Sequence, residues 1–258
     1  MQHLDAIRAL EQEVVDHDGG RLKLDLGAAE DNGIATALEW EGDRLVGYAG
    51  RYPFGPPDEI AGMVAPDRRR QGIGTRLLRQ LLPSGSALLV TPTDSAAGHA
   101  FAASFGASRD HSEHLLVLQG VPDTPEDPSI TVRVAGDQDD ATVRGLLRAA
   151  FDWEPPADAV HRFGDATRVV EKDGVGVGTL RISRREGWGG VYGFAVDPRW
   201  QGQGIGRDVL ARACRELRAD GVPRITLEVE TENAQALGLY TSLGFVREAG
   251  EDYYQVEL

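Results

Sequence analysis

The sequence predicts a mixed α/β fold built twice in tandem, each copy a central mixed β-sheet flanked by helices. Three observations predict it. The first is a repeat: Val64-Ala65-Pro66-Asp67-Arg68-Arg69-Arg70-Gln71-Gly72-Ile73-Gly74 recurs as Val196-Asp197-Pro198-Arg199-Trp200-Gln201-Gly202-Gln203-Gly204-Ile205-Gly206. The second is context, because each copy leads from a β-branched strand end through glycines into an amphipathic run. Those runs are Leu77, Leu78, Leu81 and Leu82 in one half and Val209, Leu210, Cys214 and Leu217 in the other, which spells strand, turn, helix. The third is size: 258 residues with 41% hydrophobic content suit two ordinary domains, each with its own core. A repeat this long also exceeds the roughly 20–50-residue period of a solenoid.

The elements follow in order. Residues 4–15 read as an amphipathic helix with no strand before it. Strands are predicted at 35–40, at 44–51 and ending at Val64, followed by the glycine-loop helix, a strand at 88–90 and strands around 111–118. Hydrophobic periodicity then stops at Pro122, Pro125 and Pro128, interleaved with Asp123, Glu126 and Asp127. The expected domains are therefore 1–120 and 130–258, joined by a linker at 121–129. The second half reads as strand 130–134, helix 137–151, a proline-rich irregular stretch and strand 167–172. After a glycine turn come strands 175–182 and 191–196, the glycine-loop helix, strand 225–229, a short helix and two closing strands.

Composition narrows the function. A formal net charge of −14 disfavours a basic grip on nucleic acid, whereas cationic amines or basic peptides fit the field. The same acidity also serves plain solubility. The single cysteine, Cys214, excludes an intramolecular disulfide framework and falls at an apolar helix position suited to the core. No stretch approaches the roughly 18 apolar residues of a membrane helix, and the start lacks a basic-then-apolar secretion pattern. The expectation is a cytoplasmic protein with no membrane partner and no metal site.

Glycines let backbone N–H groups approach a phosphate closely, and a helix start adds partial positive charge. The candidate pyrophosphate cradle is Gln201, Gly202, Gln203, Gly204, Ile205, Gly206 and Arg207, with Arg69, Gly72 and Gly74 as its first-half counterpart. Arg68, Arg69 and Arg70 either pair with phosphates or are solvated charge.

Pro198 with Gln201-x-x-Gly204-x-Gly206, followed by Asn233-x-x-Ala236-x-x-Leu239-Tyr240-x-x-x-Gly244-Phe245, resembles the two signature motifs of the GCN5-related N-acetyltransferases. The match spans the second half, while the first half resembles the family through its glycine loop alone. The resemblance implies acetyl-CoA as cosubstrate, its pyrophosphate on the 202–206 amides. It also implies a thioester carbonyl against the backbone of Ala195 and Val196, where two central strands splay, and direct attack by a neutral amine.

Within that resemblance Tyr240 is the expected general acid, since a phenol with pKa of about 10 stays protonated at neutral pH. Its other reading is an aromatic packed in the core. Glu228 is the expected base, because the surrounding string is similar to family members that acetylate a ribosomal protein's N-terminal alanine. Glu230 shares its strand face as a reserve, and a solvated strand-end carboxylate explains either. Asn233 is explained by helix capping, with cofactor contact added by the resemblance.

The tandem layout resembles the mycothiol synthases, two-domain members whose second domain is catalytic, except that Gly190 stands where they carry a Glu. Aligning Phe105-Gly106 with Leu243-Gly244 puts Ala102 at the Tyr240 position and Ser95 at the Asn233 position. The first half is thus a degenerate domain that either holds acetyl-CoA or only shapes the second site. His99 and His111 read as surface polar residues. The acceptor is expected to be a small-molecule or peptide primary amine, or a cysteinyl aminosugar, chosen by residues 152–165 and 183–190. Trp153, Glu154, Asp158, Asp165 and Glu186 make that region aromatic and acidic. A non-catalytic acyl-CoA-binding module is the competing class, and the oligomeric state is open, since two copies in one chain can reproduce a dimer internally.

Overall fold

The computed structural model describes residues 3–20, 22–23, 34–53, 56–151, 154–155, 157, 159–160, 167–185 and 187–258. Trp153, Asp158, Asp165 and Glu186 lie outside the described residues. The chain forms two compact units, Met1–His114 with Ala249–Leu258, and Leu115–Glu248.

Unit 1 contains α1 (Leu4–Asp18), β1 (Ala35–Glu41), β2 (Arg44–Tyr52), β3 (Glu59–Val64), a 3₁₀ turn (Pro66–Arg68) and α2 (Ile73–Leu81). It continues with β4 (Ser86–Pro92), α3 (Ala96–Ser104) and most of β5 (Ser108–Leu118). Its strand order is β1-β2-β3-β4-β11-β5, where β11 (Phe245–Glu257) is the last strand of the chain. The end of β11 lies antiparallel on β4, from Glu251 opposite Pro92 to Glu257 opposite Ser86. Ile73, Leu77, Leu78 and Leu81 recur at helical spacing and are buried with Ile7, Leu10 and Val14 of α1.

Unit 2 contains β6 (Ile130–Val134), a 3₁₀ turn (Asp137–Asp139), α4 (Asp140–Phe151), β7 (Thr167–Lys172), β8 (Val175–Arg185) and β9 (Trp188–Val196). A second 3₁₀ turn (Pro198–Trp200), α5 (Ile205–Ala219), β10 (Ile225–Glu230) and α6 (Ala234–Ser242) follow. Its strand order is β11-β5-β10-β9-β8-β7-β6. Strands β6 to β9 form an antiparallel meander, and β10 returns parallel to β9 after the α5 crossover. Ile205, Val209, Leu210, Cys214 and Leu217 of α5 pack against Leu180, Ile182, Ile225, Leu227 and Phe245. Burial pushes the Cys214 thiol up to about 12, as befits a packed, unreactive side chain.

Four features differ from the sequence reading. The helix expected at 137–151 opens as a 3₁₀ turn, where the Asp139 carboxylate accepts the Gly136 N–H at 2.8 Å and pairs with Arg133. The two closing strands are one continuous strand, β11. Helix α3 is not foreseen, because its Ala- and Gly-rich run lacks an amphipathic pattern; Ser95 caps it, accepting from Gly98 N at 3.1 Å. Finally, the units do not coincide with the sequence halves, since Ala249–Leu258 packs in unit 1 and unit 2 begins at Leu115. Residues 121–127 are irregular but held along α5: Arg215 donates to the carbonyls of Pro122 and Thr124, and Arg212 to that of Asp127 at 2.8 Å.

Candidate active site

Strands β9 and β10 pair only at Ile225 with Gly189 and Thr226 with Gly190, and beyond that point no ladder joins them. The divergence has a local cause. Gly193 adopts φ +52°, and the register with β8 shifts between Thr179 and Arg181, so β9 bends away. Ala195 and Val196 stay paired to β8 at Thr179 and Gly178, which leaves their other backbone edge turned toward the gap. Such an edge suits an extended, amide-bearing ligand lying strand-like between two strands.

The chain then turns through Asp197, whose carboxylate accepts the Arg199 N–H at 2.9 Å and pairs with its guanidinium. Gln201 Nε2 donates to the Val196 carbonyl at 3.0 Å, bracing the loop. Gly202 (φ +75°) and Gly204 (φ +81°) take left-handed backbone that side chains resist. Gly204 is the N-cap of α5 and offers no capping side chain. The first-turn N–H groups of Ile205, Gly206 and Arg207 are therefore open to an external anion, which is what a pyrophosphate requires. Ile205 contributes only backbone, since its side chain is 1% exposed in the core, whereas Arg207 is exposed.

Asn233 caps α6, accepting from Ala236 N at 3.0 Å, so its carbonyl oxygen is engaged by the fold itself. Tyr240 on α6 is 8% exposed, packed in the core cluster that holds Leu227 and Val229 and tilted against Phe245. Among the described residues nothing hydrogen-bonds its hydroxyl, and burial pushes its pKa up to about 12. It stays a proton donor across the neutral range.

Glu228 is half-buried on β10 and by strand alternation faces away from Leu227 and Val229, on the face that carries Thr226, Gly190 and Tyr192. Glu230 is exposed at the strand end. The structure thus sets Tyr240 and Glu228 on opposite faces of β10, with the gap beside both.

Tyr192 is missed by the sequence reading. A Cβ at Gly190 would lie 2.5 Å from its ring, so the phenol fills the space of the missing side chain. The available signal is a glycine inside a strand, two residues before an aromatic. Arg181 lies 5.9 Å from the centre of that ring.

Unit 1 repeats the scaffold. Strands β3 and β4 pair only at Glu59 with Leu88 and Ile60 with Leu89, and Gly72 (φ +78°) is an N-cap of α2 without a capping side chain. A cavity of about 380 Å³ opens there, lined by Gly62, Val64, Gly72, Gly74, Phe101 and Ala102 among others. Arg69 is committed within the protein: Asp18 takes both guanidinium ends at 3.0 and 2.7 Å, and Nε donates to the Val64 carbonyl. That pairing holds the Asp18 carboxyl below the ordinary range. At the 138-residue offset that equates Ala102 with Tyr240, Glu228 corresponds to Val90, which is buried. His111 is stacked on Tyr253 at 4.1 Å, an ordered contact rather than free surface polarity.

No described helix is long and apolar enough to cross a membrane, and among the described residues no acidic, His or Cys cluster is arranged to hold a metal ion. Residues 4–106 and 137–245 each match the model of the acetyltransferase (GNAT) family. A mycothiol acetyltransferase of Streptomyces coelicolor is 31% identical, covering 99% of this chain and 92% of that protein. Another, from Nocardia farcinica, is 32% identical over 83% of this chain and 80% of its own length. A GCN5-related N-acetyltransferase from Sphaerobacter thermophilus superposes with a TM-score of 0.80 at 17% identity, covering 98% of this chain and 91% of that one. A tandem GNAT protein from the clavulanic acid biosynthesis pathway gives 0.69 at 18% identity, covering 99% and 95%.

Proposed function

The chain belongs to the acetyltransferase (GNAT) family and is an N-acetyltransferase, and from that premise we propose that unit 2 carries the reaction on a primary amine, with acetyl-CoA as donor. The observation that carries this reading is the parting of β9 from β10 beyond Thr226, directly ahead of the uncapped start of α5. The donor's pyrophosphate fits the first-turn amides, and its amide arm fits the open edge at Ala195 and Val196. When bound it supplies an acetyl thioester.

The chain's own residues then handle two protons. Glu228 takes one, directly or through a water, from the acceptor ammonium or from the nitrogen as its bond to the acetyl carbon forms. Tyr240 gives one to sulfur as the carbon–sulfur bond breaks, which its raised pKa permits because the phenol is held neutral. On this reading the catalytic residues all lie within 130–258, the expected catalytic domain, of which Ala249–Leu258 packs in unit 1, while 121–129 is the connecting stretch and 1–120 is without turnover. In that first domain Gly72, Gly74 and the cavity favour retention of an acyl-CoA, while Arg69 supports the loop through Asp18 rather than gripping phosphate.

The acceptor we favour is the aminosugar amine of the mycothiol acetyltransferase reaction, supported by relatives aligned along nearly the whole chain. A different primary amine is the second reading, favoured by one observation: Tyr192 occupies the space above Gly190, so the acceptor face is shaped differently from one bearing a carboxylate there. The test is coenzyme A release from acetyl-CoA with cysteinyl aminosugars, N-terminal Ala peptides, polyamines, aminoglycosides and amino acids. Turnover on cysteinyl aminosugars alone supports the favoured acceptor, and turnover on another class selects the second. Donor binding without turnover on any amine supports the binding-module class and sinks the enzymatic reading of unit 2.

A further inference from the structure

We propose that the sheet face of unit 1 bearing Val90 is a primary-ammonium site, and that Lys23 fills it from within the chain. The face follows from register. Glu59 pairs with Leu88, Tyr253 with Val90 and Tyr52 with Glu59, so Tyr52, Glu59, Leu88, Val90 and Tyr253 share one side of the sheet. In the repeat this is the side that Glu228 faces in unit 2.

The ammonium of Lys23 is bound there on three sides. Nζ donates to the Tyr253 hydroxyl at 2.6 Å, which in turn donates to Glu113 Oε2 at 2.5 Å. The Glu59 and Glu113 carboxylates lie 3.5 and 3.6 Å from Nζ, and the Tyr253 ring centre 5.2 Å away. All three charged side chains are no more than 20% exposed. Tyr52, Ala61, Val90 and Tyr253 form a buried apolar floor suited to an alkyl stem. His111, itself paired with Asp110 at 2.8 Å, stacks on Tyr253, and the Tyr52 hydroxyl, 3.4 Å from that of Tyr48, is a further titratable group beside the floor.

Composition sharpens the point. The chain has 25 arginines and only two lysines, Lys23 and Lys172. A compact three-donor ammonium among a phenol and two carboxylates is what a planar guanidinium cannot reproduce. With the ammonium removed, two part-buried carboxylates still face the position it held. A unit whose Glu228 and Tyr240 positions are Val90 and Ala102 thus keeps amine recognition and supplies the amine itself. This inference concerns unit 1 alone and does not depend on turnover by unit 2.

The test empties the pocket in the full chain with Lys23→Ala and titrates n-propylammonium, tetramethylammonium and 1-propanol at matched ionic strength, following thermal unfolding and binding heat. We expect the variant to melt lower by roughly 5 °C and n-propylammonium to restore most of the loss saturably. The other two probes should not do so, since one has charge without N–H donors and the other an alkyl chain without charge. Wild type should not respond, and adding Glu113→Gln should abolish the rescue. Rescue by tetramethylammonium to the same extent, an equal response of wild type, or no rescue at all overturns the proposal. Should Lys23→Ala not fold unaided, it is refolded in each of the three probes, and a refolding yield raised by n-propylammonium alone supports the site while an equal yield in all three probes overturns it.

Discussion

The two units hold the same cradle and differ in what stands around it. Each has a pair of parallel strands that parts after two residues and a helix that starts, uncapped, on a left-handed glycine. Around the gap unit 2 sets Glu228 and Tyr240, whereas unit 1 sets Val90 and Ala102. On the proposed reading the difference teaches that holding an acyl donor and moving protons are separable tasks, the first set by backbone geometry and the second by two side chains.

The sharpest way to break this contrast is to erase the phenol. Tyr240→Phe keeps the packing against Phe245 and is expected to lower kcat by at least about 100-fold, near 2.7 kcal/mol of barrier, with donor binding unchanged. Equal kcat in mutant and wild type would reduce unit 2 to the status of unit 1.

Next in size is a pair of helix charges. Asp208, 4% exposed, pairs with Arg212 at 2.5 Å and accepts the Asp127 N–H, whereas its counterpart in the repeat, Arg76, is 54% exposed and pairs with Glu39. Asp208→Ala should cost about 3 kcal/mol in denaturant unfolding and Arg76→Ala less than about 1 kcal/mol. Similar costs would mean that burial does not set the two pairs apart.

Installing the phenol in unit 1 probes the converse. Ala102 is 1% exposed but borders the cavity of about 380 Å³, so Ala102→Tyr should take up part of that space, cost no more than about 1–3 kcal/mol and create no turnover there. The caps are the control, since Ser95 and Asn233 each bond one backbone N–H at 3.1 and 3.0 Å. Ser95→Ala and Asn233→Ala should each cost about 1 kcal/mol, and a rise in KM for the donor with the Asn233 variant alone would add a ligand contact to its capping role.

The smallest effect expected is on acid stability. Arg133 beside Asp139, and the Ser129 hydrogen bonds to Asp127, hold both carboxyls at about 2 in the folded chain. A carboxyl depressed on folding stabilises fully above its ordinary pKa near 3.9, and that contribution is lost as pH falls toward 2. The melting temperature should therefore decline from pH 4 downward, and Asp139→Asn should flatten the slope. A slope unchanged in that variant would mean that Asp139 contributes nothing to it.

Much of the fold is legible in the sequence alone. Strands at 130–134 and 167–172 are readable to the residue because alternation ends at turn formers, and the glycine loops, Tyr240 and Glu228 stand in recognisable spacing. Other features are not. The ring of Tyr192 over Gly190 exists only once β9 is bent at Gly193, and the Asp18 pairing that engages the Arg69 guanidinium spans 51 residues. Strand β11 reads as two because Gly250 and the acids around it interrupt the apolar pattern. Sequence also has no means of saying that its end belongs with β4, since β-pairing partners need not be neighbours along the chain.

That last placement bears on how the protein comes into being. The strand that covers β4 follows the whole of unit 2 along the chain, so unit 1 waits, its β4 edge open on that side, until unit 2 has been synthesised. Unit 1 is begun before unit 2 and completed after it, so a chain interrupted beyond Glu248 leaves the earlier unit short of a strand.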